Sequence, residues 1–558
     1  MVIILAYWLF LALLFLPAGI LVKQIFKFTT QNPILLVILG MVLLTAGFTT
    51  IAFFYKLGAV NLIGWSCFSL ISGIIFRHDI AQSVSSYYKK LQALPLYLKT
   101  VLVVLFVGAL LKSAQYPFVI DNESYYVQTI KWLNNYGFVK GLANLHPFFA
   151  QNSSWHVLQA GLNFSFTTNR INDINGFLLV LCTAYFATEG YDKSTLNNKY
   201  WLVFVPLLSV LIFQFLQAPS PDMPCLLLVP VIYHLFLQSE GPDENSKIGY
   251  ILFVFLVLIK ITILPLGILF LSLLKHRKFI AFMAVTTLPL MLLWIIKNVI
   301  ISGFPLYPLA YFKTGYNWAL PKELFNFMIT VTENDGYYNK ASAPAVNTWA
   351  TKLLSWISMG GLAGLINKLT IVLLLFLPFT KSVKTDIKYR LIYISLLISF
   401  LALLFTSPQF RYFLHVTIIS FLFVAAAVYN QLKLGNKLIK VSLVAASAAV
   451  FLLFLNFNLS GLTPNKFHKT AGAVRFQQLY LPEENTKFPD LTFVKTRTGN
   501  LIYYTPQENF FLFGTANGPL PCINSAQLNY FEKKLGIAPQ LRSNNLADGF
   551  YSAKADKK

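Results

Sequence analysis

The segment YPFVIDNESYYVQTIKW, residues 116 to 132, places two carboxylates, Asp121 and Glu123, just after a strongly apolar stretch. Tyr125, Thr129, Trp132 and Leu133 then recur at helical spacing, which predicts an amphipathic helix lying in a membrane interface. Asp121 at the start of that helix is an N-cap by default, because Asp is favoured there and an anion suits the positive end of the helix dipole. A carboxylate fixed at a helix start and facing a cavity is also well placed to take a proton as a general base.

Other polar residues recur near apolar boundaries. GLANLHPFFAQNSSWHVLQA, residues 141 to 160, carries His146, Trp155 and His156. Two histidines ten residues apart lack the spacing of a zinc site, so hydrogen-bonding imidazoles are the default, and Trp155 suits either an interfacial belt or a sugar-stacking surface. Asp222 lies between Pro221 and Pro224, where a helix cap is again the simple expectation. Lys260, Lys297 and Arg411 stand at or near span ends, where snorkelling to the interface is the ordinary explanation. Taken together, cations opposite carboxylates suit a lipid phosphate leaving group beside an acceptor hydroxyl activated by an acid residue. The sequence holds no P-loop, dinucleotide glycine fingerprint, GxSxG or HExxH.

The elements that must position these residues are membrane helices. Of 558 residues, 56% are hydrophobic and 12% charged, with a mean hydropathy of +0.62, well outside the soluble range. The formal charge of +23 resides mainly in short loops between apolar runs, so positive-inside topology accounts for it without a nucleic-acid partner. The four cysteines are far apart and suggest neither a disulfide framework nor a metal site. The first apolar run lacks a signal-peptide pattern and reads as a retained span.

About 13–14 apolar segments are expected over residues 1–459, with large loops at 113–173 and 303–350, followed by a soluble tail at 460–558. One of these segments is 354–378. The run ILFVFLVLIKITILPLGILFLSLLKHRK is interrupted by Lys260 and Pro265, which suggests two short helices forming a hairpin. Only that hairpin puts KHRK, residues 275 to 278, on the face that carries Lys23, Lys27, Arg77, Lys89, Lys90, Lys193, Lys199, residues 381–390 and 433–440. All the unusual polar residues then share the opposite, outer face. The tail, with strand-like NLIYYTP and NFFLFGT, predicts a small α/β module. No internal repeat supports an inverted-repeat transporter.

The many spans, the acid-led first outer loop and the soluble tail resemble the GT-C class of membrane glycosyltransferases, which use polyprenyl-phosphate-linked sugars. The motif order DNESYYVQTIKWLNNYGFVKGLANLH, NSSWH, PSPD, KNVIISGFPLYP, SPQFRY, GPLPC and ADGF is closer still to a group of uncharacterised bacterial multi-spanning proteins. That resemblance covers residues 113 to 551; for GT-C it is architectural. It implies an all-α polytopic, GT-C-like helix bundle with a small extracytoplasmic α/β domain, working at the periplasmic face of the bacterial inner membrane. By position, Asp121 is the implied base of an inverting transfer to a glycan or lipid acceptor of the cell envelope. Lys297 and Arg411 would hold the departing phosphate, Glu123 or Asp222 would orient substrate or bind an optional divalent cation, Mg or Mn, and Glu123, separated from Asp121 by one residue, could exchange the catalytic role with it. Where the group often carries a His, this chain has Tyr126. Two alternatives stay open: a glycan polymerase or ligase that depends on Arg411 and His415, and a lipid or glycan transporter.

Overall fold

The computed structural model describes residues 1–191, 200–338, 348–432, 436–455, 472–507 and 510–555. Among these, eight helices are long and apolar enough to cross a membrane: Val2–Phe26, Pro33–Ala52, Leu96–Ser113, Arg277–Ser302, Gly361–Phe379, Ile387–Leu404, Phe410–Leu432 and Lys437–Phe454. Ala59–Ile75 is a further candidate, but it bends by 82° into Arg77–Ala93, a helix carrying Arg77, Asp79, Lys89 and Lys90. The chain is a multi-pass, all-helical membrane protein whose described strands are confined to its C-terminal part.

Four shorter apolar helices, Ile174–Gly190, Trp201–Phe215, Asp222–Gln238 and Ile261–Lys275, pack among the long ones. Glu244–Ile259 and Ile261–Lys275 meet at Lys260, forming the expected hairpin. The second arm is a 3₁₀ helix of 15 residues. At about 2 Å rise per residue it extends ~30 Å, close to the hydrocarbon thickness, which an α-helix needs about 20 residues to cover. The expected span 354–378 is instead two helices, Trp349–Ser358 and Gly361–Phe376, separated at Met359 and Gly360. Gly19 and Gly40 lie where the first two spans meet, with no room for a Cβ on either, so these backbones approach as small residues allow in membranes.

The loops sort to two ends. At one, Lys23 pairs with Asp79 at 3.0 Å and Lys90 with Glu189 at 2.8 Å. Glu244 there accepts from the Thr29 and Thr30 amides at 2.6 and 2.7 Å, and Lys388 donates to the Ser239 carbonyl at 2.5 Å. These are loops that charge patterning groups together; Lys193, Lys199 and Lys433 lie outside the described residues.

At the other end, the tail folds over the first large loop. Antiparallel pairs join Phe493–Thr498 to Leu501–Pro506 and Ile537–Leu541 to Phe550–Lys554, with the short helix Ser525–Tyr530 between. NLIYYTP forms its strand; of NFFLFGT, Asn509 lies outside the described residues and residues 510–515 form no strand. The backbone here serves the loop rather than a sheet: the Thr515 and Ala516 amides donate to the Glu123 carbonyl at 2.9 and 2.7 Å. Gly549, at φ 91°, lies against the Lys140 carbonyl and lets the Phe550 amide donate to it at 2.9 Å. Tail and loop therefore form one packed unit.

This packing changes the reading of Val127–Tyr136. Gln128, Thr129, Trp132 and Leu133 are all buried, and Gln128 donates to the Ala516 and Gly518 carbonyls at 3.2 and 2.8 Å. The helix is covered by protein and does not lie with an apolar face on lipid. Its amphipathic pattern marks an inner and a tail-facing side.

Candidate functional site

Asp121 precedes a five-residue π-helical turn, Asn122–Tyr126, yet its side chain makes no capping hydrogen bond. The carboxylate is instead paired with the Arg411 guanidinium, whose Nε donates to Gln409 at 2.9 Å. Asp222 is not at the cap position, which Pro221 occupies. It is the first residue of Asp222–Gln238, and its carboxylate is paired with Lys260 and approached by the Ser220 hydroxyl at 3.5 Å. Helices elsewhere use their acids as caps: Asp173, Asp243 and Asp386 each accept from the first turn they precede. Neither candidate acid thus serves as a helix cap.

Each member arrives from the tail-side end of a different element. Asp121 follows Leu96–Ser113, Lys260 is the hairpin turn, Asp222 begins its helix after Pro221, and Arg411 lies in the first turn of Phe410–Leu432. Tyr412 joins the two pairs: the Lys260 ammonium is 3.9 Å from its ring centroid and the Arg411 guanidinium carbon 5.2 Å. Asp222 also acts electrostatically on Arg411, and Lys260 and Asp222 act on His415, one turn further along. His415 is buried, and its Nε2 has no hydrogen-bond partner among the described residues.

Tyr126 closes the inner side of this cluster. Its buried phenol is held well above its ordinary pKa, first by burial and then by Asp121 and Asp222, and so stays neutral. The His156 ring stands 4.7 Å from the Tyr126 ring. Neither His156 nitrogen makes a hydrogen bond among the described residues, although the Pro219 carbonyl is close. Burial, with Lys297 nearby, pushes this imidazole down to about 3.

Lys297 stands beyond His156, its ammonium donating to the Asn152 carbonyl at 2.5 Å, beside a cavity lined by Thr45, Thr49, Ser154 and Trp294. The sequence paired Lys297 with Arg411 on one phosphate; in the structure the cation that shares the Tyr412 ring with Arg411 is Lys260.

Three expected site residues belong to packing. Glu123 is fully buried and faces the tail, accepting from Thr486 Oγ1 at 2.5 Å, Asn122 Nδ2 at 3.0 Å and the Lys487 amide at 3.1 Å. The π turn between the acids sends them to different places, so Glu123 cannot stand in for Asp121. His146 accepts from the Phe148 amide at 3.3 Å, reaches the Phe513 carbonyl at 3.3 Å and stacks on Phe149, with burial pushing it down to about 4. Trp155 is wholly buried and donates to Asn175 Oδ1 at 2.7 Å, which leaves no face for a sugar.

The sequence reading missed Tyr412, Ser220 and Gln409, although each lies within two residues of a chosen charge in SPQFRY or PSPD. It also missed Asp335, on the exposed rim, which feels both Arg411 and Asp121. Among the described residues, no three His, Cys, Asp or Glu side chains gather as metal ligands.

No curated protein and no solved structure matches this chain. A family match extends over residues 1–418 and so takes in every member of the cluster, from Asp121 to His415, while leaving the tail outside. Covering well over half of the sequence, it shows that the chain belongs to the family described as a domain of unknown function (DUF8201).

Proposed function

We propose that this protein is a GT-C-like glycosyltransferase of the bacterial inner membrane, moving a sugar from a polyprenyl-phosphate donor to a cell-envelope acceptor at the periplasmic face. The observation that carries the reading is the convergence of Asp121, Asp222, Lys260 and Arg411 around Tyr126 and Tyr412, with neither acid used as a helix cap. A lipid phosphate reaches the outer span ends directly from the bilayer, and two cations there match its charge. The orientation follows from the Lys- and Arg-bearing loops at the opposite end, which the positive-inside rule places in the cytoplasm.

In the reaction, the Asp121 carboxylate takes the proton of an acceptor hydroxyl. The acceptor oxygen forms its bond to the anomeric carbon as the bond from that carbon to the phosphate oxygen breaks. The phosphate leaves with the electron pair, held by Arg411 and Lys260, and the anomeric centre inverts. Neutral His156 and Tyr126 line the wall behind the reacting groups. No step is routed through a metal.

The test is turnover of purified full-length protein in liposomes with polyprenyl-phosphate sugars and envelope acceptors. Sugar transfer with release of polyprenyl phosphate supports the assignment; absence of transfer with every donor and acceptor class contradicts it.

A further inference from the structure

The two ion pairs present a difficulty that also suggests their use. A carboxylate paired with a guanidinium is a poorer proton acceptor than a free one, and a cation already paired with a carboxylate has less to offer a phosphate. Both partners proposed to act on substrate are therefore satisfied by each other in the resting protein.

We infer that Asp121 and Asp222 are resident place-holders for the donor phosphate, which on binding takes Arg411 and Lys260 from them and so releases Asp121 as a base only when donor is present. This inference rests on the glycosyltransferase reading and adds an order of events to it. Four features of the site carry it. Asp121, at the N-cap position where Asp173, Asp243 and Asp386 cap their helices, makes no capping bond, and Asp222, the first residue of its helix, pairs with Lys260. The two pairs are close enough for Asp222 to act on Arg411, and one ring, Tyr412, lies against both cations, so a single phosphate can engage the two together. The side chains of Asp121 and Arg411 keep 15% and 24% of their surface accessible, enough for an incoming anion to reach the pair. The cluster is also closed to water on its inner side by buried Tyr126 and His156, where an unpaired cation would be costly. A carboxylate that holds the cation until phosphate replaces it avoids that state.

Exchange has a consequence opposite to that of an ordinary binding residue: removing the acid should strengthen donor binding. The probe is farnesyl phosphate, titrated against the full-length protein in detergent micelles. Asp222→Asn, which leaves Asp121 untouched, should bind it about tenfold or more tightly than wild type, given the coupling typical of close charge pairs. The neutral double variant Asp222→Asn/Lys260→Met removes both charges, a change buried pairs usually tolerate, and should bind about tenfold more weakly than wild type. Equal or weaker binding by folded Asp222→Asn, or undiminished binding by the double variant, would overturn the place-holder role alone. Failure of wild type and all variants to bind would overturn it together with the glycosyltransferase reading.

Discussion

The Asp121 carboxylate, in the first large loop, is paired with the guanidinium of Arg411, a residue 290 positions further along the chain and on a membrane helix. The pair ties the first large loop to the N-terminal end of Phe410–Leu432, and with Lys260 and Asp222 it concentrates four charges at one end of the bundle.

The coupling within that pair is measurable. Asp121→Asn or Arg411→Gln alone leaves an uncompensated charge in a mostly buried site and should cost roughly 1–3 kcal/mol, reduced from the fully buried case by partial exposure. The double variant should recover part of that loss. Thermal unfolding in detergent, run as a double-mutant cycle, checks this; strictly additive losses would mean that the two side chains do not interact.

Glu123 should affect the tail rather than chemistry. Its burial raises the carboxyl pKa above the ordinary 4.5, so the folded protein holds the proton more tightly than the unfolded chain. The resulting stabilisation is complete below the ordinary value and is lost as pH rises through the raised one. Limited proteolysis of residues 472–555 should accordingly be slower near pH 4.5 than at neutral pH, and Glu123→Gln should flatten that dependence. An unchanged slope in Glu123→Gln would locate the titration elsewhere.

His146 and His156 should be silent in the pH profile of activity. Burial holds them near 4 and 3, so both are neutral throughout the physiological range. The kcat/KM profile should show no limb from either at the ordinary 6.5, and His156→Gln should leave the limbs in place while lowering the rate. Loss of a limb near 6.5 in that variant would show that His156 titrates in the working enzyme.

Topology is open to direct labelling. In a Cys67→Ser background, which removes the exposed native thiol, Asn544→Cys should react with a membrane-impermeant maleimide from the periplasmic side. Ser85→Cys, exposed at the opposite end, should react only after the inner membrane is opened. The reverse pattern would place the acid cluster in the cytoplasm.

Much of this architecture was legible because hydropathy and loop charge act at long range along the chain. The Lys260 hairpin and the sorting of basic loops to one end followed from them. Charge at a span end is costly and needs a partner, which is why Asp121, Asp222, Lys260 and Arg411 stood out as candidates. The pairing of those charges was not legible, because it depends on how distant helices pack. Glu123 shows the same limit: two residues from Asp121, it is turned to the tail by a π-helical register that no spacing rule anticipates. Trp155, which suited an interfacial belt or a sugar-stacking surface, is buried with its indole bonded to Asn175 of Ile174–Gly190, whereas His146 makes the hydrogen bonds that its loop suggested, one of them to the tail.

The central claim is that Asp121 is the base, and the most direct measurement is sugar transfer by Asp121→Asn beside Glu123→Gln in the same membranes. Loss of a general base typically costs 10²–10⁴-fold in rate. Asp121→Asn should therefore fold, keep or improve its hold on the phosphate lipid, and lose about that much activity, while Glu123→Gln stays within about tenfold of wild type, since its side chain faces the tail. Full transfer activity in Asp121→Asn would contradict the account.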